Sequence, residues 1–189
     1  MGRRPVGLSD EGRAQTAALV PLLRALAPDR VVTSPLARAR ETADAVASGL
    51  GLPLALESDL AELDFGAWEG RFYDELIADP AYAAFSADPL TASPPGGESV
   101  VAAQARAVAA FARALAATPG ARVCAVTHGD VLRLVLAAAL RLDLREFRRL
   151  RVDTCSVSAI ELTGDWAEVK FVNLLADPAR VWTSLHWGR

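Results

Sequence analysis

Apolar residues at Ala14, Ala17, Ala18, Leu22 and Leu26 recur with a helical period, behind a Ser9 cap and two acids, Asp10 and Glu11. That pattern predicts an amphipathic helix over residues 10–27, stopped by Pro28. A β-branched run, Val31-Val32-Thr33, follows at once, and Ser34-Pro35 opens a second helix that reaches Gly49. Leu54-Ala55-Leu56 reads as a short strand that enters a loop carrying Glu62 to Gly70. Residues 71–95 hold only helical pieces, and Pro89, Pro94, Pro95, Gly96 and Gly97 mark their end. The alanine-rich stretch 100–117 is the longest helical pattern, closed by Thr118-Pro119-Gly120. Residues 122–127 then read as a buried strand leading to His128-Gly129, and residues 131–140 as a helix. Residues 152–162 and 167–172 are two late strands around Gly164-Asp165. Strands alternating with helices predict an α/β fold with a mixed, mostly parallel sheet. With no linker in sight, one domain spans residues 1–189.

Composition narrows the function classes. The chain has 189 residues, 52% of them hydrophobic and 23% charged, which suits a globular core rather than disorder. Its net charge of −3 carries no basic footprint for nucleic acid. Nearly all positive charge is arginine, with Lys170 the sole lysine, so the surface offers forks for carboxylate or phosphate. Cys124 and Cys155 lack zinc-ligand or CxxC spacing and read as free thiols, Cys124 a structural one, so a reducing cytoplasm is the expected setting. Two histidines, His128 and His186, are too few for a His-rich centre, and no metal or cofactor is expected. The helical apolar run 131–140 is too short for a bilayer, and the first residues lack a signal-peptide core. The three tryptophans Trp166, Trp182 and Trp187 are expected to pack on the sheet rather than form an exposed patch.

Three segments could carry chemistry. Ser34-Pro35-Leu36-Ala37-Arg38 places an arginine at the start of a helix that follows a strand, where free N–H groups and the guanidinium favour an oxyanion. Taken alone, Arg38 and Arg40 read rather as solvated helix residues. Val126-Thr127-His128-Gly129-Asp130 puts a histidine at the carboxyl edge of a sheet, where ligands bind in open α/β folds. As an imidazolium, His128 would bond a phosphate while Gly129 lets the backbone approach; the plain alternative is a loop histidine satisfied by a carbonyl. The loop from Leu60 to Gly70 offers Glu62, Asp64 and Glu69 among apolar neighbours, where desolvation can raise a carboxyl pKa and make a general acid. The plain alternative there is a surface turn.

Together, in this order, these pieces resemble the histidine phosphatase superfamily, the phosphoglycerate mutase-like proteins. The resemblance also rests on Gly7-Leu8-Ser9-Asp10-Glu11-Gly12-Arg13-Ala14-Gln15, on Ser34 to Ala43, and on Pro95-Gly96-Gly97-Glu98-Ser99. It implies a three-layer sandwich in which Arg38 holds the phosphoryl group, Glu62 protonates the leaving oxygen and His128 contacts the phosphate. Thr127 and Gly129 would complete the phosphate site, and Glu98 and Ser99 would lie in the loop flanking the pocket, or simply start a helix.

The family's first strand ends in an Arg-His-Gly motif whose histidine attacks phosphorus. This sequence contains no Arg-His-Gly, and its start resembles the segment just downstream of that motif. The nucleophile and the first central strand are therefore expected to be missing from the chain as written. A late start or a cut chain is preferred over a natural pseudoenzyme, because an absent central strand leaves ladder groups unpaired on both neighbours at roughly 1–3 kcal/mol each. The resemblance implies a phosphomonoester hydrolase of small phosphorylated metabolites, nucleoside-like monoesters among them, working through phosphohistidine. A mutase-type phosphotransferase and a catalytically dead phosphate-binding protein are the alternatives. The short stretch between Gly70 and Gly97 favours hydrolysis over mutase chemistry. A homodimer is left open.

Overall fold

The computed structural model describes residues 2–164 and 166–177. The element order begins α1 (Asp10–Leu26), β1 (Arg30–Thr33), α2 (Ala37–Leu50) and β2 (Leu54–Leu56). Two short helices, α3 (Tyr73–Ile77) and α4 (Pro80–Ala87), precede α5 (Val100–Ala116), β3 (Val123–Val126) and α6 (Gly129–Ala139). The strands β4 (Ser156–Thr163) and β5 (Trp166–Leu175) close the described chain. Single-turn 3₁₀ segments occur at Ser58–Leu60 and Gly66–Trp68, with a longer one at Leu144–Arg149.

Local chemistry explains the helix ends. Ser9 accepts a hydrogen bond from the Gly12 N–H at 3.1 Å and so caps α1, whose first turn carries Asp10 and Glu11. The chain leaves α1 through Ala27 in the left-handed region, and Pro28 forbids continuation. The buried positions of α5 are Val100, Ala103, Ala107, Ala110 and Ala114, alternating steps of three and four that lay a narrow stripe of small side chains on the sheet.

The strands order as β2-β1-β3, all parallel, with Val31 opposite Leu54 and Cys124. β4 and β5 form a separate antiparallel pair. Helices cover both faces of these strands. On one side Leu19 and Leu23 of α1 and Val46 of α2 pack with Val31, and Cys124, Val126, Cys155 and Val157 border that same cluster. On the other, Ala110 and Ala114 of α5 pack against Val32, Val123 and Ala125, while α6 meets Ile160 of β4 through Val131 and Val135. This is the expected three-layer α/β arrangement. Its sheet, however, is divided: among the described residues β3 pairs only with β1, and β4 only with β5. All four residues of β3 stay partly exposed, whereas Val31, Val32 and Thr33 of β1, paired on both edges, are buried.

The tryptophan expectation needs correction. Trp166 opens β5 and is 66% exposed, because the hairpin tip projects beyond the helices that cover the sheet. Trp182 and Trp187 lie outside the described residues, as does His186. Trp68, by contrast, is buried in the largest core cluster with Leu63, Phe85, Leu134 and Phe147.

Candidate active site

The carboxyl ends of β1 and β3 lie side by side, with Thr33 in register with Val126. The residues that follow, Ser34 and His128, are therefore neighbours, and the Ser34 N–H donates to the Val126 carbonyl at 3.0 Å. His128 Nε2 and Ser34 Oγ share a 2.7 Å hydrogen bond, and both side chains are buried. Thr127 turns the other way and donates its hydroxyl to the Leu60 carbonyl at 2.8 Å, tying the β3–α6 turn to the loop that carries Glu62. Gly129 is the first residue of α6, and its open N-terminal turn sits directly beside the ring.

Arg38 stands in the first turn of α2. Its Nη2 donates to the Gly2 carbonyl at 2.8 Å and Nη1 to the Arg4 carbonyl at 3.4 Å, so residues 2–4 fold across it. The Arg38 charge acts on both Glu62 and His128, which fixes the three residues in one electrostatic neighbourhood. Burial, then the guanidinium charges of Arg38 and Arg106, push the His128 pKa down to about 3. The sequence predicts an imidazolium here; the structure gives a neutral ring, because a buried cation beside two arginines is unfavourable until an anion arrives.

Glu62 is the carboxyl that the site selects. It is half-buried as a residue, its carboxyl crowded by protein, and its Oε1 accepts from the Leu63 N–H at 2.9 Å. Desolvation, followed by the charge of Asp130, raises its pKa to about 7, against smaller lowering by the Leu63 N–H, Arg38 and the Val131 N–H. The other two candidates in the loop are spoken for. Asp64 Oδ1 accepts from the Gly66 N–H and Oδ2 pairs with Arg3, while Glu69 accepts from the Arg3 N–H.

The loop is held by a clamp that sequence reasoning did not find. Arg106, on α5, donates to the carbonyls of Asp59, Ala61 and Glu62 and makes two bonds of 2.7 and 2.8 Å to Glu98. Arg3 adds a 3.1 Å bond to Glu98 and a 2.9 Å bond to the Glu62 carbonyl. Glu98 thus anchors the two arginines that hold the acid loop. Ser99 caps α5 by accepting from the Ala102 N–H at 3.1 Å, which is the helix-start alternative. The Pro95-Gly96-Gly97 segment is pressed against the loop: Ala67 N–H donates to the Pro95 carbonyl and Glu98 N–H to the Asp64 carbonyl, each at 2.9 Å. A Cβ on Gly66 would strike the Pro95 carbonyl and one on Gly97 the Asp64 carbonyl, so both positions need glycine.

Three further residues belong to the site. Ser34 bonds His128, Asp130 adds its charge to the burial that raises the Glu62 pKa, and Arg106 holds the Glu62 carbonyl. Ser34 and Asp130 stand inside the segments singled out in the sequence, whereas Arg106 looked like one of many cations on an alanine-rich helix. Cys124 is inert as a nucleophile, since burial pushes its thiol up to about 11. No group of three or more metal-ligating side chains occurs among the described residues.

A carboxyl of raised pKa, an arginine and an imidazole thus share one electrostatic neighbourhood beside the ends of parallel strands. The chain belongs to the histidine phosphatase superfamily (branch 1), whose family model matches residues 1–175. It is 33% identical over 174 residues to the adenosylcobalamin/alpha-ribazole phosphatase of Salmonella typhimurium, covering 91% of this chain and 86% of that one. Among solved structures, Bacillus stearothermophilus YhfR superposes with a TM-score of 0.84 at 31% identity, covering 90% of this chain and 86% of that one. The mycobacterial glucosyl-3-phosphoglycerate phosphatase Rv2419c superposes at 0.82 and 27% identity, covering 93% and 91%. The fold is therefore that of the phosphoglycerate mutase-like histidine phosphatases, and similar proteins are phosphatases of small phosphorylated compounds. No described helix is long and apolar enough to cross a membrane.

Proposed function

We propose that this protein is a cytoplasmic phosphomonoester hydrolase, a single domain over residues 1–189 that uses no metal or cofactor. The observation that carries the reading is Glu62, a carboxyl kept protonated to about pH 7 beside Arg38 and His128. In this mechanism Arg38 and the α6 N-terminus at Gly129 neutralise the equatorial phosphoryl oxygens, and the His128 ring contacts them by hydrogen bonding. Glu62 gives its proton to the departing alcohol oxygen as the P–O bond breaks, and the Glu62 carboxylate then takes a proton from the water that releases phosphate.

The phosphoryl acceptor in this account is a histidine on a further strand. The divided sheet supports it: β3 and the start of β4 border the same apolar cluster, and each lacks a second partner among the described residues. A second reading, phosphate binding without turnover, is favoured by one observation: His128 is the sole histidine among the described residues, and Ser34 occupies its Nε2. The experiment is hydrolysis of p-nitrophenyl phosphate by the protein from its native cells, with its intact mass and N-terminal peptide read on the same sample. Turnover with an acid-labile phosphohistidine ahead of α1 is the expected result. Phosphate binding with no turnover at the mass of the 189-residue chain would replace hydrolysis by the second reading.

A further inference from the structure

Residues 2–4 form a strap that touches both halves of the site. Gly2 is buried and stands in the left-handed region at φ 54°, where a side chain would strike the Glu69 carboxyl. The carbonyls of Gly2 and Arg4 accept from the Arg38 guanidinium at 2.8 and 3.4 Å. A guanidinium carries five N–H donors in one rigid plane. Two bonds to one chain segment therefore fix that plane and leave further donors for an anion. The strap belongs to no helix or strand. A cavity of about 390 Å³ opens between Arg3, Pro5, Leu36 and Arg40, so packing alone does not hold the strap in place.

Arg3 holds it. The residue lies between the two carbonyls that grip Arg38, and its own bonds run the other way, to the acid loop and Glu98. Its N–H donates to Glu69 at 2.6 Å. Its Nε donates to the Glu62 carbonyl at 2.9 Å, Nη1 to Asp64 at 3.3 Å and Nη2 to Glu98 at 3.1 Å. The Arg4 guanidinium lies over Gly70, at the end of the same loop. One residue thus spans from the arginine assigned to the phosphoryl group to the backbone of the proton donor. Arg106 grips the same Glu62 carbonyl from α5, but its bonds end on the loop and on Glu98. The Arg3 side chain is 36% exposed, so its ion pairs add little to the stability of the fold. What they supply is geometry.

We propose that Arg3 is a positioning residue that couples the two halves of the site: an anion on Arg38 fixes the strap, and the strap, through Arg3, tightens the loop that carries Glu62. The inference rests on the phosphatase reading, in which Arg38 holds the phosphoryl group. It adds how that group and the proton donor keep one relative placement. Arg3 touches neither, since it bonds the Glu62 carbonyl and not the carboxyl. Proton transfer to a departing oxygen needs a heavy-atom approach of about 2.6–3.2 Å, which a drifting loop would miss. Coupling between two sites is reciprocal, so a loop set loose from the strap also weakens the hold of Arg38 on the anion.

The test is hydrogen–deuterium exchange of residues 62–69, with and without saturating orthophosphate, in the wild type, Arg3→Ala and Arg30→Ala. Orthophosphate affinity is measured by calorimetry on all three. Arg30 stands at the far end of β1, where it bonds Thr118, so its loss removes the same charge without touching the strap. Exchange of α1 is the reference for general stabilisation by a bound ligand. In the wild type and Arg30→Ala, orthophosphate should slow loop exchange about tenfold relative to α1, a usual size for coupling between sites. In Arg3→Ala that slowing should shrink below about twofold, with orthophosphate still bound but about three- to tenfold more weakly. A purely structural Arg3 would speed exchange in the free variant yet leave the slowing by orthophosphate intact, and that result overturns the coupling. So does a wild type that binds orthophosphate with no slowing of the loop, or an Arg30→Ala variant that behaves like Arg3→Ala. An Arg3→Ala variant that no longer binds orthophosphate would make Arg3 part of the anion site itself and overturn a positioning role. Failure of the wild type to bind orthophosphate overturns the phosphatase reading and the coupling with it.

Discussion

Glu62 and His128 are two buried titratable groups on two differently built supports. The acid loop has little regular structure of its own and is fixed from outside, by Arg106, Arg3 and Glu98 acting on its carbonyls. The β3–α6 turn needs no such clamp, because β1 beside it and the helix after it already determine where His128 goes. Burial favours the uncharged form of both and moves them in opposite directions, Glu62 up to about 7 and His128 down to about 3. In the proposed mechanism this one environment supplies both the proton donor and the neutral imidazole that receives the anion. The lesson is that desolvation sets the protonation states, while the ion pairs serve chiefly as geometry.

The sharpest way to break this comparison is to remove the proton without removing the shape. Glu62→Gln should cut hydrolysis of an alkyl phosphate by about 10²–10⁴-fold and that of p-nitrophenyl phosphate far less, because a good leaving group needs no proton. Equal losses on both substrates would show that Glu62 only positions the ligand. Removing the clamp should act on stability instead. Arg106→Ala takes that donor from the Asp59 and Ala61 carbonyls and leaves the Glu62 carbonyl and Glu98 to Arg3 alone, and should lower unfolding free energy by about 2–4 kcal/mol in urea titrations.

The opposed titrations give a third prediction, with signs fixed by linkage. Glu62, raised in the folded state, contributes stability that is full below pH 4.5 and is lost as pH rises through about 7. His128, lowered in the folded state, contributes stability present above pH 6.5 and lost as pH falls toward about 3. Glu62→Gln should therefore gain on the wild type as pH rises from 4.5 to 8, by about 2–3 kcal/mol at the plateau, measured by urea unfolding across pH. A flat difference would show that the carboxyl is solvated. The smallest expected effect is at Ser99: its replacement by alanine removes the α5 cap and should cost about 1 kcal/mol with no change in phosphate affinity.

Much of this site was legible in the sequence because its members lie at ends of elements that local patterns reveal. Ser34-Pro35 after a β-branched run and His128-Gly129 after a buried strand announce strand termini, and parallel strands bring such termini to one edge. The choice of Glu62 over Asp64 and Glu69 came from the family resemblance and not from the local pattern. It depends on which carboxyl the fold desolvates, and that follows from Arg3 and Arg106 taking the other hydrogen-bonding groups. Arg106 itself was hidden because its carbonyl acceptors lie 44 to 47 residues away, beyond any periodicity. Likewise Trp68 and Trp166 look alike in a sequence, yet one anchors the core and the other caps a projecting hairpin.

The most direct measurement is the pH dependence of kcat for an alkyl phosphate, glycerol 3-phosphate, with the wild type and Glu62→Gln side by side. The account predicts a wild-type rate that falls above about pH 7 as Glu62 loses its proton, and a variant that is slow and has no such limb. A wild-type rate that holds level well above pH 7, or a Glu62→Gln variant that keeps the same limb, would contradict it.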